Sequence, residues 1–283
     1  MTIKPEFQRL QLLTGKDALE RIHQTNVIIF GIGGVGSWAA EALVRSGIMH
    51  LTIVDSDVVC VTNINRQVQA LHSTVGKVKT EELKKRLHDI NPHAEITAIQ
   101  RIFDKETVAT FNLNQYEYVI DAIDSLSNKV ELIIRAKEAG AKVYTALGAS
   151  NKMDITQIRT ASLWKSQGCK FGRYVRKYLR RRGFHGEVTC VYSEEHIPPE
   201  SSEIGCGTGN CVCPKTIQKD DGTYEDAHEW CSSKQQINGS AVHITGTYGF
   251  ILAGLVIKDV YECAKVDKLE KENLNLEMTK TQL

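Results

Sequence analysis

A glycine loop between a strand and a helix is the strongest constraint on what this chain can fold into. The apolar run Val27-Ile28-Ile29-Phe30 reads as a buried strand, and Gly31-Ile32-Gly33-Gly34-Val35-Gly36 follows it directly. From Val35 to Arg45 the pattern is helical. Glycines let a backbone approach a phosphate closely, and a helix start offers unpaired N–H groups and a partial positive charge. Asp55 closes the next apolar run, Leu51-Thr52-Ile53-Val54, where a carboxylate can grip ribose hydroxyls. On these residues alone a dinucleotide is the expected ligand.

The first half of the chain alternates strand and helix patterns. Strands are expected at Val27–Phe30, Leu51–Val54, Ile96–Ile99, Tyr118–Ile123 and Val143–Leu147, with helices at Val35–Arg45, Val78–Ile90, Lys105–Phe111 and Lys129–Ala139. Asn91-Pro92 and Gly140 supply stop signals for two of these helices. That alternation predicts an α/β fold: a Rossmann-like, doubly wound, mostly parallel sheet with helices on both faces. From about residue 150 the rhythm loosens into a less regular C-terminal part. It contains a strand over Ile155–Ala161, a basic helix near 170–182, a strand over Val188–Tyr192 and a turn-rich cysteine segment. A last apolar helix is expected over Thr245–Tyr261. One domain is expected over residues 1–264, with an insertion near 198–231, followed by a charged tail at 265–283 that is frayed or disordered.

Bulk properties exclude some classes. The formal net charge is +1, so affinity for nucleic acid has to come from a local patch. Residues 1–9 have no signal-peptide or transit character, and no apolar run is long enough to span a bilayer. A cytoplasmic protein without a membrane partner is expected. The eight cysteines then read as reduced thiols or metal ligands rather than a disulfide framework.

The residues beyond Asp55 change the ligand. Asp57 and then Asn63-Ile64-Asn65-Arg66-Gln67 form a polar cluster with no role in binding a nicotinamide cofactor. Lys79 opens a predicted helix, where the helix dipole disfavours a cation and a bound polyphosphate would offset that cost. Arg66 offers a planar fork and Asn63 an amide, so Asn63, Arg66 and Lys79 form a candidate clamp for β- and γ-phosphates. No G-x-x-x-x-G-K-S/T loop occurs, which excludes an ordinary P-loop enzyme. Asp121-Ala122-Ile123-Asp124-Ser125 ends a strand at the sheet edge where ligands collect. Asp124 can hold Mg²⁺ there, the alternative being that Asp124 or Ser125 caps the next helix. Asp121 reads as structural.

These residues carry a resemblance. The run Gly31 to Gly36 with Asp55, Asp57, Asn63, Arg66, Gln67, Lys79 and Asp124 resembles the adenylating fold of the ubiquitin-activating-enzyme-like ThiF/MoeB/HesA superfamily. The stretches Gly33 to Leu43, Val58 to Gln67, Asp121 to Ser125 and Thr247 to Phe250 are similar to its tRNA threonylcarbamoyladenosine dehydratase branch. The resemblance implies that ATP and Mg²⁺ turn a carboxylate into an acyl-adenylate. It places Gly31, Gly33, Gly34 and Gly36 on the phosphates and Asp55 on the ribose. Asp57, Asn63, Arg66 and Lys79 line the nucleotide site, and Asp124 carries the metal. It also implies a homodimer in which Arg9 reaches the neighbouring active site, although Arg9 by itself reads as a surface residue of an amphipathic helix. The implied substrate is adenosine 37 of tRNA bearing a threonylcarbamoyl group.

A separate signal agrees. Lysines and arginines stand at 170, 173, 176, 177, 180, 181 and 182 with no acid among them. Arg173, Arg176, Lys177 and Arg180 share a helix face at the spacing suited to a phosphate backbone, and Arg181 adjoins it. Phe171, Tyr174 and Tyr178 are expected on the buried side of this helix rather than as a base-stacking platform. Cys206, Cys211, Cys213 and Cys231 can form a four-thiolate zinc site, but the paired C-x-x-C spacing usual for structural zinc is absent. His228 is a further candidate ligand, and Cys231 reads either as a plain buried thiol or as a residue that touches substrate or accepts sulfur from a cysteine desulfurase system. The main rival reading is an activator of a ubiquitin-like or sulfur-carrier protein. An NAD-dependent oxidoreductase would leave Asn63, Arg66, Lys79 and Asp124 idle, and a non-catalytic tRNA scaffold would leave the whole nucleotide site idle.

Overall fold

The computed structural model describes residues 4–198, 216–218, 224–226 and 238–281, with side chains described in the first and last of these segments up to residue 270. The helices are α1 (Gln8–Thr14), α2 (Lys16–Gln24), α3 (Gly36–Arg45), α4 (Lys79–Ile90), α5 (Leu126–Glu138), α6 (Lys170–Arg181) and α7 (Val242–Thr281). The strands are β1 (Asn26–Phe30), β2 (His50–Asp55), β3 (Glu95–Gln100), β4 (Tyr118–Asp121), β5 (Lys142–Ala146), β6 (Ile158–Ser162) and β7 (Thr189–Ser193), with a small separate hairpin of β8 (Thr216–Gln218) and β9 (Tyr224–Asp226). Among the described residues, no helix is long and apolar enough to cross a membrane.

The seven-stranded sheet runs in the order β3-β2-β1-β4-β5-β7-β6, parallel throughout except for β6 against β7. Alternation along β1 explains the two layers of core. Val27 and Ile29 face a cluster with Leu43, Leu83, Tyr248 and Val256 of α3, α4 and α7, while Ile28 and Phe30 face Ile133, Val175 and Leu179 of α5 and α6. Burial on both faces is what a crossover-built parallel sheet requires, and it accounts for the nearly continuous apolar strands in the sequence.

The strands before residue 150 and the fold class agree with the sequence reading. Three segments differ. The helix expected over Lys105–Phe111 is only a 3-10 turn, Val108–Phe111, because the Asp104 carboxylate accepts from the N–H of Glu106 and Thr107 and turns the chain there. Left-handed Asn112 (φ 43°) then stops it. The strand expected from Ile155 starts at Ile158, because Asp154 caps a short 3-10 turn by accepting from the Thr156 N–H. The helix expected to end near Tyr261 runs on through Thr281, so no break separates a tail at residue 265.

Candidate functional site

Sheet order locates the site. From β1 the chain moves outward through β2 to β3, and from β4 it moves the other way to β5, so the carboxyl ends of β1 and β4 open a crevice at the point of reversal. Phe30 and Asp121 are register partners, which sets the glycine loop beside the Asp121–Ser125 loop.

The glycine loop is packed from both sides. Gly31 adopts φ +81°, and a Cβ there would lie 2.8 Å from the Ala122 carbonyl oxygen. At Gly36 a Cβ would lie 1.9 Å from the Gly31 carbonyl oxygen, so the turn into α3 exists only with glycine. Gly34 faces Thr245 of α7 and Arg66, whereas Gly33 has ordinary clearance from Gln67. The first turn of α7 thus walls the loop, a contribution that no sequence motif announced.

Asp55, at the end of β2, ties two loops together. Its Oδ2 accepts the Ile32 N–H at 2.9 Å and its Oδ1 accepts the Asp57 N–H at 2.9 Å. A ribose contact would therefore use the remaining lone pairs of this carboxylate. Lys79, the first residue of α4, is buried and donates to Asp57 Oδ2 at 2.8 Å, with Asp55 Oδ1 at 3.9 Å. The cation at a helix start is thus compensated by two aspartates of the protein itself, where the sequence reading looked to a polyphosphate. Burial pulls the Lys79 pKa down, but Asp55 and Asp57 outweigh it and hold the ammonium charged, while the charge of nearby Arg66 opposes them. Burial also pushes the Asp55 carboxyl up against the pull of Lys79.

Asn63 ends the 3-10 segment Val61–Asn63, and Arg66 sits on the turn that follows. Asn63 is buried and its Oδ1 accepts the Cys60 N–H at 3.0 Å. Arg66 donates from its guanidinium to the Thr62 carbonyl at 2.8 Å and to Asn65 Oδ1 at 3.0 Å, and its own carbonyl accepts from Trp38 Nε1 at 3.0 Å. Trp38 and Asn65, which bonds the Ser240 carbonyl at 2.8 Å, fix this turn against α3 and the approach to α7. Asn65 belongs to the polar cluster and Trp38 to the stretch Gly33 to Leu43 already noted in the sequence, but their anchoring contacts are not legible there, because anchoring across distant segments leaves no local pattern.

Asp124 is exposed at the mouth of the crevice, close enough for its charge to act on Lys129. Ser125 holds the cap position of α5 but makes no side-chain capping bond. Asp121 is structural as expected: its Oδ1 accepts the Ile123 N–H at 3.1 Å, and its Oδ2 accepts from Lys129 and from Thr145, each at 2.7 Å. Among the described residues, no group of three or more His, Cys, Asp or Glu side chains can form a metal cage. A single carboxylate at the mouth of a nucleotide crevice nonetheless fits Mg²⁺, which usually takes one or two carboxylates along with phosphate oxygens.

Arg9 lies exposed on α1, which packs on α2. Cys206, Cys211, Cys213, Cys231 and His228 lie outside the described residues. Of the described cysteines, Cys169, Cys190 and Cys263 are free thiols.

The basic helix exists, with two corrections to its faces. Gly172, Val175 and Leu179 form the buried stripe of α6, and Tyr174 and Tyr178 are exposed rather than buried. Aromatics at 171, 174 and 178 fit helical spacing, but small Gly172 lets α6 approach Leu147 closely and thereby sets which stripe goes inward. Arg176 borders that stripe and turns its guanidinium in to Ser166 Oγ and the Leu163 carbonyl. Arg173, Lys177, Arg180 and Arg181 remain exposed, and Arg182 bonds Glu131 of α5 at 2.8 Å.

Comparison with known proteins agrees with this geometry. The ThiF family model matches residues 7–281. The tRNA threonylcarbamoyladenosine dehydratase of Escherichia coli (strain K12) is 35% identical over 254 residues, covering 87% of this chain and 90% of that protein. Its counterpart in Bacillus subtilis (strain 168) is 38% identical over 190 residues, covering 67% of this chain and 75% of that one. The crystal structure of the E. coli tRNA N6-threonylcarbamoyladenosine dehydratase TcdA in complex with ATP superposes with a TM-score of 0.75 at 31% identity, covering 94% of this chain and 99% of that chain. This chain belongs to the ThiF family, in its tRNA threonylcarbamoyladenosine dehydratase branch.

Proposed function

We propose that this protein uses ATP to dehydrate the threonylcarbamoyl group on adenosine 37 of tRNA into its cyclic form. The observation that carries the reading is the crevice between β1 and β4. It brings the glycine loop, two neighbouring cations (Arg66 and Lys79) and Asp124 to one sheet edge, in a chain similar to an enzyme crystallised with ATP.

In this reading the loop from Gly31 to Gly36 cradles the phosphates, with Gly31, Gly34 and Gly36 holding its tight turn and Gly33 leaving open space; Asp55 holds the ribose side, Asp57 lines the site and braces Lys79, and Asn63, Arg66 and Lys79 hold the phosphate chain. A carboxylate oxygen of the threonyl group attacks the α-phosphorus, and the bond to the bridging oxygen breaks to release pyrophosphate. Arg66 and Lys79 would meet the negative charge that builds on the phosphoryl oxygens, with Lys79 held by Asp57 and Arg66 by the Thr62 carbonyl. The carbamoyl group of the same side chain then attacks the acyl carbon, AMP leaves, and the ring closes with net loss of one water. Asp124 is the residue that would hold Mg²⁺, whose charge, when bound, would help neutralise the phosphates.

Exposed Arg173, Lys177, Arg180 and Arg181 supply the docking charge for tRNA. Arg176 contributes by holding α6 in place. A tRNA substrate puts the reaction in the cytoplasm. A homodimer in which Arg9 enters the site of the second copy is supported by α1, where neighbouring Leu12 and Leu13 are 88% and 77% exposed and gain from being covered. A sulfur-transfer partner, as expected from Cys231, rests on a residue outside the described segments.

The test is incubation with ATP, Mg²⁺ and tRNA carrying the threonylcarbamoyl group. The expected result is AMP release together with the loss of one water from the modified nucleoside. Release of AMP only in the presence of a small carrier protein ending in Gly-Gly would favour the activator reading instead.

A further inference from the structure

We propose that Tyr174 and Tyr178 form a stacking platform for unpaired bases of the RNA substrate. It lies on α6, next to the catalytic edge, and reads loop rather than duplex. This rests on the tRNA reading above and deepens it by naming the part of the RNA that is held and the side chains that hold it.

Exposure is the first support. Tyr174 and Tyr178 are 44% and 41% exposed, although large aromatic rings gain most from burial and α6 has an apolar stripe that could have taken them. Spacing is the second. At i and i+4 the two rings lie on one helix face, about 6 Å apart along the axis. Charge is the third: Arg173 lies over the Tyr174 ring at 5.5 Å and Arg181 over the Tyr178 ring at 5.6 Å, with Lys177 exposed between them. Exposed phenol rings that carry a guanidinium over one face are surfaces on which splayed RNA bases stack, while neighbouring cations take the backbone. No acidic residue interrupts residues 170–182 to repel phosphate.

Placement is the fourth support. Phe171, at the start of α6, lies against Gly148 beyond β5 and has the Lys129 ammonium 5.9 Å from its ring, so α6 begins at the sheet's carboxyl edge. Tyr174 is one helical turn further on and Tyr178 two. Nucleotides next to one held in the crevice are therefore within reach of both rings. A duplex keeps its bases stacked inward and offers these rings nothing to stack on, whereas a loop offers bases that can turn out.

Binding of fluorescent RNA separates the possibilities. The probes are an anticodon stem-loop and a fully paired duplex of the same length, tested against Y174L, Y178L, Y174F, Y178F and K177Q. Wild type should bind the stem-loop more tightly than the duplex. Each leucine variant should weaken stem-loop binding at least about fivefold with duplex binding and salt dependence unchanged, and the phenylalanine variants should retain it. K177Q should weaken both probes and lower the salt slope by about one. Thermal melting of each variant checks that α6 is intact. Equal stem-loop binding by wild type and the leucine variants, or parallel loss on both probes, overturns the platform. If wild type still converts the modified nucleoside in that case, the proposed reaction stands without the platform. If it does not, the reaction itself has failed.

Discussion

The ammonium of Lys129 lies 2.7 Å from Asp121 Oδ2, and both side chains are fully buried beneath the candidate site. Thr145 completes the group, bonding the same carboxylate oxygen at 2.7 Å and accepting from Lys129 at 3.1 Å. Burial pushes the Lys129 pKa down, and the Asp121 and Asp124 carboxylates pull against it. Removing one partner strands the other in the core, so Lys129→Met should destabilise the protein by roughly 3–5 kcal/mol. The double variant Lys129→Met with Asp121→Leu should recover part of that loss, as seen in urea unfolding midpoints, while activity stays low. Asp121 also accepts the Ile123 N–H and thereby fixes the loop that presents Asp124. Recovery of full activity in the double variant would show that the buried pair has no part in positioning that loop.

Lys79 and Asp57 give a second prediction. If the ammonium serves the phosphate chain, Lys79→Met should weaken ATP binding by about tenfold or more, the worth of one charge-assisted bond. Asp57→Asn, which loosens the 2.8 Å pair, should leave ATP binding within about threefold. Calorimetry with a non-hydrolysable ATP analogue reads both. An equal loss in the two variants would mean that Asp57 itself holds the nucleotide, or that the pair matters only as a brace.

How far the sequence discloses this site follows from which interactions leave local patterns. Gly31 to Gly36 and Asp55 are legible because one turn and one strand end carry them, and the alternation of elements exposes the parallel sheet. The brace of Lys129 and Thr145 on Asp121 is not legible, since these residues are joined only by the folding of α5 and β5 onto β4. The tertiary contacts of Thr245, Trp38 and Asn65 are hidden for the same reason. For α6, helical spacing alone offers two apolar stripes, one through Val175 and Leu179 and one through Phe171, Tyr174 and Tyr178. The close approach of Gly172 to Leu147 decides between them, and that distance is a tertiary fact.

Two buried glutamates set a pH dependence. Burial raises the pKa of Glu41, but hydrogen bonds from Arg86 and Arg45 outweigh it and hold the carboxyl below the ordinary glutamate value. Glu131 behaves alike with Arg182 and Arg135. A carboxylate whose folded pKa is depressed stabilises the fold above its unfolded pKa, near 4.3, and that stabilisation disappears as pH falls through the folded value. Stability should therefore hold from neutral pH down to about 5 and fall below it. Glu41→Gln and Glu131→Gln should lower the unfolding midpoint at pH 7 and flatten the acid limb. If the acid limb keeps its full slope in both variants, other groups account for it.

The glycine loop offers a prediction in which fold and ligand separate. Gly36→Ala places a methyl 1.9 Å from the Gly31 carbonyl oxygen, a collision with backbone that no side-chain movement relieves. It should cost about 1–3 kcal/mol or more in unfolding free energy and abolish nucleotide binding with it. Gly33→Ala meets nothing closer than 3.8 Å, the Gln67 amide nitrogen, so stability should change by less than about 0.5 kcal/mol. The added methyl at Gly33 would instead intrude where a phosphate approaches the backbone, and ATP affinity should fall with the thermal midpoint unchanged. Comparing the two variants by calorimetry and thermal melting distinguishes a glycine kept for the turn from one kept for the ligand. Unchanged ATP affinity in Gly33→Ala would move the phosphates away from this part of the loop, toward Gly34 and the first turn of α7.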